Sequence, residues 1–241
     1  MNVFSYWEGS MPDYIGLCHD TLKRVNDGVV HTPETIRQSG LLDKYIDDPY
    51  FQAMCPAHRA DIIRIKLLEE QGGCWVDSDF ISLNSLEPLV EFATRKNALL
   101  YYRDSWVATN GILIAPPRHM MVTEWSRKID AVFANLKRHN QKEIPWTSFG
   151  ADQLKVVIGN ALESHFDLGW DRVQLVPYAE TGRFFITENV RDHSWPAAYG
   201  YMLFNSTGIP AWFKNLSRES ILSGKWMISH LFRVALGLDT H

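Results

Sequence analysis

The chain has 241 residues, of which 46% are hydrophobic and 22% charged, with a net charge of −4. That is enough for one sizeable globular core, and with no lysine- or arginine-rich run it argues against nucleic acid as a partner. No apolar run reaches membrane-spanning length and no signal-peptide core opens the chain. Cys18, Cys55 and Cys74 lack metal spacing and read as reduced thiols of a cytosolic protein.

No repeat, low-complexity tract or linker divides the sequence, so a single domain over 1–241 is expected. Asn2 to Trp7 reads as a first buried strand, followed by a turn. Ligands of open α/β sheets bind just beyond the C-terminal ends of strands. Trp7 and the Glu8–Gly9 backbone are therefore candidates for a nucleotide pocket, with Trp7 as a core residue the alternative. Met11 to Asn26 has Ile15, Cys18, Leu22 and Val25 on one helical side. Gly28 to His31 is a short strand, and Thr32-Pro33 opens the next helix as N-cap and first-turn proline. Strand, helix, strand, helix, strand with right-handed connections gives a parallel half-sheet. Tyr45 to Cys55 reads as irregular, with Asp47-Asp48 before Pro49 as a turn or cap.

Ala60 to Asp79 organises the rest. From Pro56 the apolar residues recur at Ala60, Ile63, Leu67 and at Ile65, Leu68, which is a buried helical face. Asp61 and Arg64 lie three apart and share a face. Gly72-Gly73 ends the helix by a left-handed cap. Cys74 to Leu83 reads as one strand, and alternation along it puts Asp77 and Asp79 on the same side. Paired carboxylates at a strand end suit a hard divalent cation, Mg²⁺ or Mn²⁺, with positions left for water and phosphate oxygens.

The string A-D-x-x-R-x-x-x-L-x-x-x-G-G-x-W-x-D-x-D resembles the signature of GT-A-type sugar-nucleotide glycosyltransferases. It is most similar to glycosyltransferase family 32 and the capsular polysaccharide synthesis proteins, and Y-W-E-G-x-M-P at Tyr6 to Pro12 resembles the start of the latter. The resemblance implies a GT-A-like α/β domain with a mostly parallel central sheet flanked by helices. It implies that Asp61 and Arg64 contact the donor, that Asp77 reaches ribose or metal, and that Asp79 binds Mn²⁺ or Mg²⁺. The expected reaction is retaining transfer from a nucleoside diphosphate sugar, a UDP-sugar first, to a hydroxyl of a surface glycan or its lipid-linked precursor. A sugar- or nucleotide-binding module without turnover is the alternative. A nucleotidyltransferase is disfavoured because Gly73 lies too close to Asp77. A phosphohydrolase is disfavoured because too few ligands gather at one spot. A cytoplasmic protein, or one peripheral to a membrane, is expected.

Beyond Asp79 the sequence predicts a helix near Leu86 to Thr94, a strand at Ala98 to Arg103, and a strand at Val107 to Ala115 with a bulge at Asn110-Gly111. By the same resemblance Asn110 touches the donor sugar. Arg118 to Asn140 is a long helix. Gly150-Ala151-Asp152-Gln153 starts another, where Asp152 also suits the helix dipole. Asp152 and Gln153 resemble the Asp-Gln pair of glycosyltransferase family 8 and are candidates beside the anomeric carbon. Val173 to Val176, Arg183 to Ile186 and Tyr199 to Phe204 read as strands, and Ser217 to Leu236 as one helix. The resemblance implies a third metal ligand from the C-terminal region, His230 or His193. Met202 stands where a histidine before Leu-Phe-Asn would.

Overall fold

The computed structural model describes residues 2–104, 107–161, 165–173, 178–185 and 198–239. The first part runs β1 (Val3–Tyr6), α1 (Asp13–Asn26), β2 (Val29–His31), α2 (Pro33–Ser39), α3 (Pro49–Gln52), α4 (Pro56–Gln71) and β3 (Gly73–Val76). It continues with β4 (Phe80–Ser82), α5 (Glu87–Lys96), β5 (Leu99–Asp104), β6 (Val107–Ala115), α6 (Met120–Arg138) and α7 (Ala151–Gly159). The remainder is β7 (His165–Asp167), β8 (Gly200–Met202), α8 (Ala211–Lys214), α9 (Arg218–Ser223) and α10 (Met227–Ala235).

Local chemistry sets several of these boundaries. Thr32 and Thr35 form a reciprocal capping box, each hydroxyl accepting the other's backbone N–H, and Pro33 fills the first turn of α2. Asp48 caps α3 by accepting the Tyr50 N–H at 2.9 Å, so the Asp47-Asp48 pair is a cap, as expected.

The main sheet has the order β2-β1-β3-β6-β5-β7. Strands β2, β1 and β3 pair in parallel, as do β5 and β7, and β6 runs antiparallel to both its neighbours. The expected mostly parallel sheet is therefore present. Its inner strands β1, β3, β5 and β6 alternate between two buried faces, while the edge strands β2 and β7 are partly exposed. Trp75, Leu113, Leu99 and Tyr101 face the core under α4, α6 and α7. Cys74, Val76, Ile112, Ile114 and Leu100 face the opposite core with Leu86 and Ala93. Both faces are thus helix-covered, as a largely parallel sheet requires. Strands β4 and β8 form a separate antiparallel pair, which packs with α1 and the C-terminal helices into a further apolar cluster.

The structure corrects several expectations. The stretch Cys74 to Leu83 is two strands, broken by a turn in which the Phe80 N–H donates to the Asp77 carbonyl at 3.1 Å. Ser217 to Leu236 is two helices, because the chain is extended at Gly224 and Trp226. Arg183 to Phe185 belongs to a 3-10 helix, Tyr178–Phe185, and not to a strand. Residues 174–177 and Ile186 lie outside the described residues, and β7 has no counterpart in the sequence reading. Asn110-Gly111 does mark an irregularity. Leu100 pairs with Ile114 and Tyr102 with Thr109, so extra β6 residues bulge out there.

Candidate active site

Helix α4 and strand β3 are joined by a connection that only glycine permits. Gly72 has φ +62° and ψ −167°, and Gly73 has φ +100°. Gly72 is thus in the extended positive-φ region and not in the expected left-handed cap. A Cβ on Gly72 would lie 2.3 Å from the Pro117 nitrogen, and one on Gly73 2.2 Å from the Asn2 carbonyl oxygen. The tight joint lets β3 pair beside β1 directly after the helix, with Cys74 N–H donating to Asn2 O at 2.8 Å.

Strand β1 is flanked by β2 on one side and β3 on the other. The space beyond the C-terminal ends of β1 and β3 is therefore a topological switch point, where open α/β sheets take ligands. A cavity of about 630 Å³ lies there, a size that suits a small-molecule site. Its walls come from Tyr6, Trp7 and Glu8 after β1, from Asp61 and Arg64 on α4, and from Asp77, Ser78 and Asp79 after β3. Thr109, Asn110 and Gly111 of the β6 bulge also contribute, as do Trp146, Thr147 and Ala151 before and in α7, and Met202, Phe204 and Asn205 at and after β8.

Asp77 and Asp79 reach this cavity because of the turn, not through strand alternation. Ser78 is turned to the β1 side, where its hydroxyl donates to Tyr6 O at 2.8 Å and meets Ser5 Oγ at 2.9 Å. Arg64 organises the carboxylates. Its side chain is 5% exposed. Nη2 donates to Asp77 Oδ1 at 2.6 Å, and Nη1 donates to the Asn110 carbonyl at 2.6 Å and lies 3.3 Å from Asp61 Oδ1. The guanidinium sits 4.9 Å from the Trp75 ring centre, while Trp75 Nε1 donates to Asp77 Oδ1 at 2.8 Å. Asn110 Nδ2 donates to Asp61 Oδ1 at 2.7 Å. A Cβ on Gly150 would lie 2.4 Å from that Nδ2 and 2.8 Å from Asp61 Oδ2, so the chain before α7 closes directly over the Asp61–Asn110 pair.

Burial raises all three aspartates above the ordinary carboxylate range. Asp61 is pushed up to about 6 by desolvation and the Asp77 charge, against the pull of Arg64. Asp79 is pushed up to about 6 by desolvation and then by Asp77. Asp77 is raised by desolvation in spite of Arg64 and Trp75. The Asp77 side chain is 33% exposed, but toward the cavity it lines. A cation between Asp77 and Asp79 would relieve both the desolvation and the repulsion. Asp77 Oδ2 has no hydrogen-bond partner among the described residues, and Asp79 Oδ2 accepts only the Asn205 N–H there, at 2.5 Å. This oxygen-only anionic set fits Mg²⁺ or Mn²⁺. No cluster of three or more His, Cys, Asp or Glu forms a metal site among the described residues, so remaining ligands would be water or phosphate oxygens.

The other candidates fall in different places. Trp7 lines the cavity and also packs, half-buried, on the C-terminal cluster. Glu8 is engaged by Arg59 through two 3.0 Å contacts, which fixes the loop after β1 to the start of α4. Asp152 Oδ2 accepts from Thr147 Oγ1 at 2.6 Å and Gln153 Nε2 donates to Ser148 O at 2.9 Å, so both brace the loop before α7. Neither lines the cavity, whereas Thr147 and Ala151 do. His230 lies on α10 with Nδ1 3.1 Å from Asp239 Oδ2, away from the cavity, and is not brought to Asp77 and Asp79. His193 lies outside the described residues. Sequence reasoning missed Tyr102, Trp146 and Phe204 as cavity residues. None carries a motif, since each is brought in by pairing of distant segments.

A family model described as capsular polysaccharide synthesis protein matches residues 2–110, somewhat under half of the chain. That span carries the signature from Ala60 to Asp79, so the resemblance read from those residues is met there. No curated protein sequence matches the chain. Among solved structures it is similar to the glycosyltransferase GlyE of Streptococcus pneumoniae TIGR4, with 13% identity, TM-score 0.49, and 98% of this chain covering 64% of that one. It is similar to PaToxG glycosyltransferase at 17% identity and TM-score 0.45, over 67% of this chain and 68% of that one. An active-site mutant of LgtC matches at 12% identity and TM-score 0.43, over 81% of each chain. No helix among the described residues is long and apolar enough to cross a membrane.

Proposed function

We propose that the chain is a metal-dependent glycosyltransferase that moves a sugar from a nucleoside diphosphate sugar, a UDP-sugar first, to a hydroxyl of a surface glycan or its lipid-linked precursor. The observation that carries this reading is the Arg64–Asp77 pair beside Asp79, at the mouth of the β1/β3 switch point. A family match over the same segment supports it.

The cavity geometry supports a role for each part. Trp7 and the backbone after β1 form the nucleoside wall. Asp77 and Asp79 would hold Mn²⁺ or Mg²⁺, which when bound neutralises charge on a diphosphate leaving group. Arg64 keeps Asp77 oriented and adds fixed positive charge beside the floor. Asp61 and Asn110, locked to each other, present the remaining polar atoms toward donor-sugar hydroxyls. Asp152 and Gln153 position the 147–151 loop that closes that side.

Among the described residues the carboxylates lining the cavity are Glu8, Asp61 and Asp77, which are ion-paired, and Asp79, which is assigned to the metal, so none is left as a nucleophile. The resemblance to glycosyltransferase families 32 and 8 implies a retaining outcome, and without a nucleophile the transfer assigned is front-face. The bond from the anomeric carbon to the diphosphate breaks, the acceptor oxygen bonds to the same face, and its proton passes to a diphosphate oxygen. A covalent glycosyl adduct trapped on Asp152 would overturn this mechanism.

The test is thermal unfolding with UDP, GDP, CMP and ADP, each with and without Mn²⁺, on wild type and Asp79→Asn. A ligand at a hundredfold excess over Kd stabilises by roughly 2.7 kcal/mol. A Mn²⁺-requiring shift with one nucleotide that is lost in Asp79→Asn, together with release of that nucleotide from its sugar donor, is the expected result. A metal-dependent shift without any turnover would instead support a binding module of the same fold.

A further inference from the structure

Trp146 is 64% exposed yet is a lining residue of the cavity. A single exposed apolar residue is ordinary on a surface; Trp146 stands apart because it both is exposed and lines the cavity. This indole is also held in place from below. The buried His58 ring packs 6.1 Å from the Trp146 ring and 5.8 Å from Phe149. Its Nε2 lies 3.2 Å from the Pro145 carbonyl, and its Nδ1 lies 3.2 Å from Cys55 Sγ. With Nε2–H donating to Pro145, both ring nitrogens are engaged and the residue before Trp146 is pinned to α4.

On the β8 side of the same cavity stands Phe204, at φ +54°, a left-handed conformation that costs a bulky residue strain. The turn after it is closed by Thr207 and Gly208 N–H groups donating to the Phe204 carbonyl at 2.9 and 2.6 Å. Tyr178 supports the Phe204 ring edge-on at 5.0 Å. The strain is retained at a position whose ring lines the cavity.

We infer that Trp146 and Phe204 form an acceptor subsite that takes a pyranose ring of a glycan by stacking on its apolar C–H face. The inference rests on the glycosyltransferase reading for its orientation. The nucleotide takes the interior wall at Trp7 and the carboxylate floor, so the solvent-exposed aromatic at the mouth meets the partner that arrives from solution. The Trp146 and Phe204 rings are uncharged, and a neutral sugar face suits two such rings better than an anionic headgroup does.

The test is saturation-transfer NMR with cellobiose, maltose, lactose and N,N′-diacetylchitobiose at millimolar concentrations. The protein is the full chain with Mn²⁺ and UDP, as wild type, Trp146→Ala and Trp146→Phe. UDP affinity is measured in parallel by calorimetry. The expected result is binding of at least one disaccharide to wild type, weakened by about tenfold or more in Trp146→Ala and largely restored in Trp146→Phe, with UDP affinity unchanged. No disaccharide binding to wild type, or equal binding to Trp146→Ala, overturns the subsite. A loss of UDP affinity in Trp146→Ala overturns it too, by making Trp146 the nucleobase platform. If UDP does not bind wild type but a disaccharide does, and depends on Trp146, the donor reading fails while the sugar subsite stands.

Discussion

The main-chain N–H of Asn205 donates to Asp79 Oδ2 at 2.5 Å, joining the turn after β3 to a segment 126 residues further along the chain. Asn205 is itself held from two more sides. Tyr14 on α1 donates its hydroxyl to Asn205 Oδ1, and Lys214 donates to the Asn205 carbonyl. The second carboxylate of the motif is therefore set by the C-terminal third of the molecule, through a residue anchored to the first helix.

Tyr14→Phe tests that anchor. The ring stays buried and only the donor to Asn205 is lost, which costs about 1 kcal/mol of stability for a single hydrogen bond. If the anchor orients Asp79, Mn²⁺-dependent nucleotide binding weakens as well, measured by calorimetry alongside urea unfolding. A stability loss with unchanged affinity would make the contact purely structural.

Arg64→Met removes the cation that pairs with Asp61 and Asp77 among the described residues, leaving buried Asp61 with only the Asn110 amide and Asp77 with only the Trp75 indole. Breaking a buried pair from one side costs roughly 3–5 kcal/mol. Arg64→Lys keeps the charge but not the fork that serves Asp77 and the Asn110 carbonyl together, and falls between. Adding Asp77→Asn to Arg64→Met recovers part of the loss, and the non-additivity measures the coupling. Full additivity in urea unfolding would show that the pair does not stabilise the site.

Much of this was legible in the sequence where the cause was local. The α4 helix, the Gly-Gly joint, the N-cap at Thr32 and the bulge at Asn110-Gly111 each follow from spacing or residue type. Asp77 and Asp79 do line one cavity, but a turn and not strand alternation aims them there. The C-terminal helix was read through Gly224, where the chain is extended and a Cβ would lie 2.4 Å from the Trp226 ring. The Tyr14–Asn205 contact spans 191 residues, and His230 finds its partner in Asp239 at the chain's end. Such contacts are products of tertiary packing and leave no periodic trace.

The two glycines at the site differ in what their Cβ would displace. Gly73→Ala places a Cβ 2.2 Å from a main-chain oxygen at φ +100°, so the backbone itself must move. A loss of roughly 2 kcal/mol or more is expected. Gly150 has φ −96° and ψ −108°, outside the regions open to alanine. The nearest atoms to its Cβ would be side-chain atoms of Asn110 and Asp61. Gly150→Ala should therefore also cost stability, and in addition displace that pair and weaken nucleotide-sugar binding more than Gly73→Ala does. Comparing melting temperature with UDP-sugar affinity in both variants checks this, and an unchanged affinity in Gly150→Ala would refute it.

His19 contributes a loss on the acid side of the stability curve, in the same direction as His31 and His58, which burial also depresses. It is buried in α1, 6.4 Å from the Trp7 ring, with Nε2 unpartnered among the described residues. Desolvation and then Lys23 depress it from 6.5 to about 4, against a smaller opposing effect of Asp20. Its folded value lies below its unfolded one, so between about 4 and 6.5 the unfolded chain binds the extra proton. Stability from this group is complete above 6.5 and is lost as pH falls toward 4. Asp61 and Asp79 act with opposite sign, because their folded values near 6 lie above the usual 3.8. The folded state takes up those protons first and gains stability as pH falls through that range. Replacing His19 by Leu should therefore remove its share of the acid loss and expose the carboxylate gain. Urea midpoints should rise more steeply on mild acidification in His19→Leu than in the wild type. Parallel profiles for the two proteins would mean that His19 carries its proton in the folded state after all.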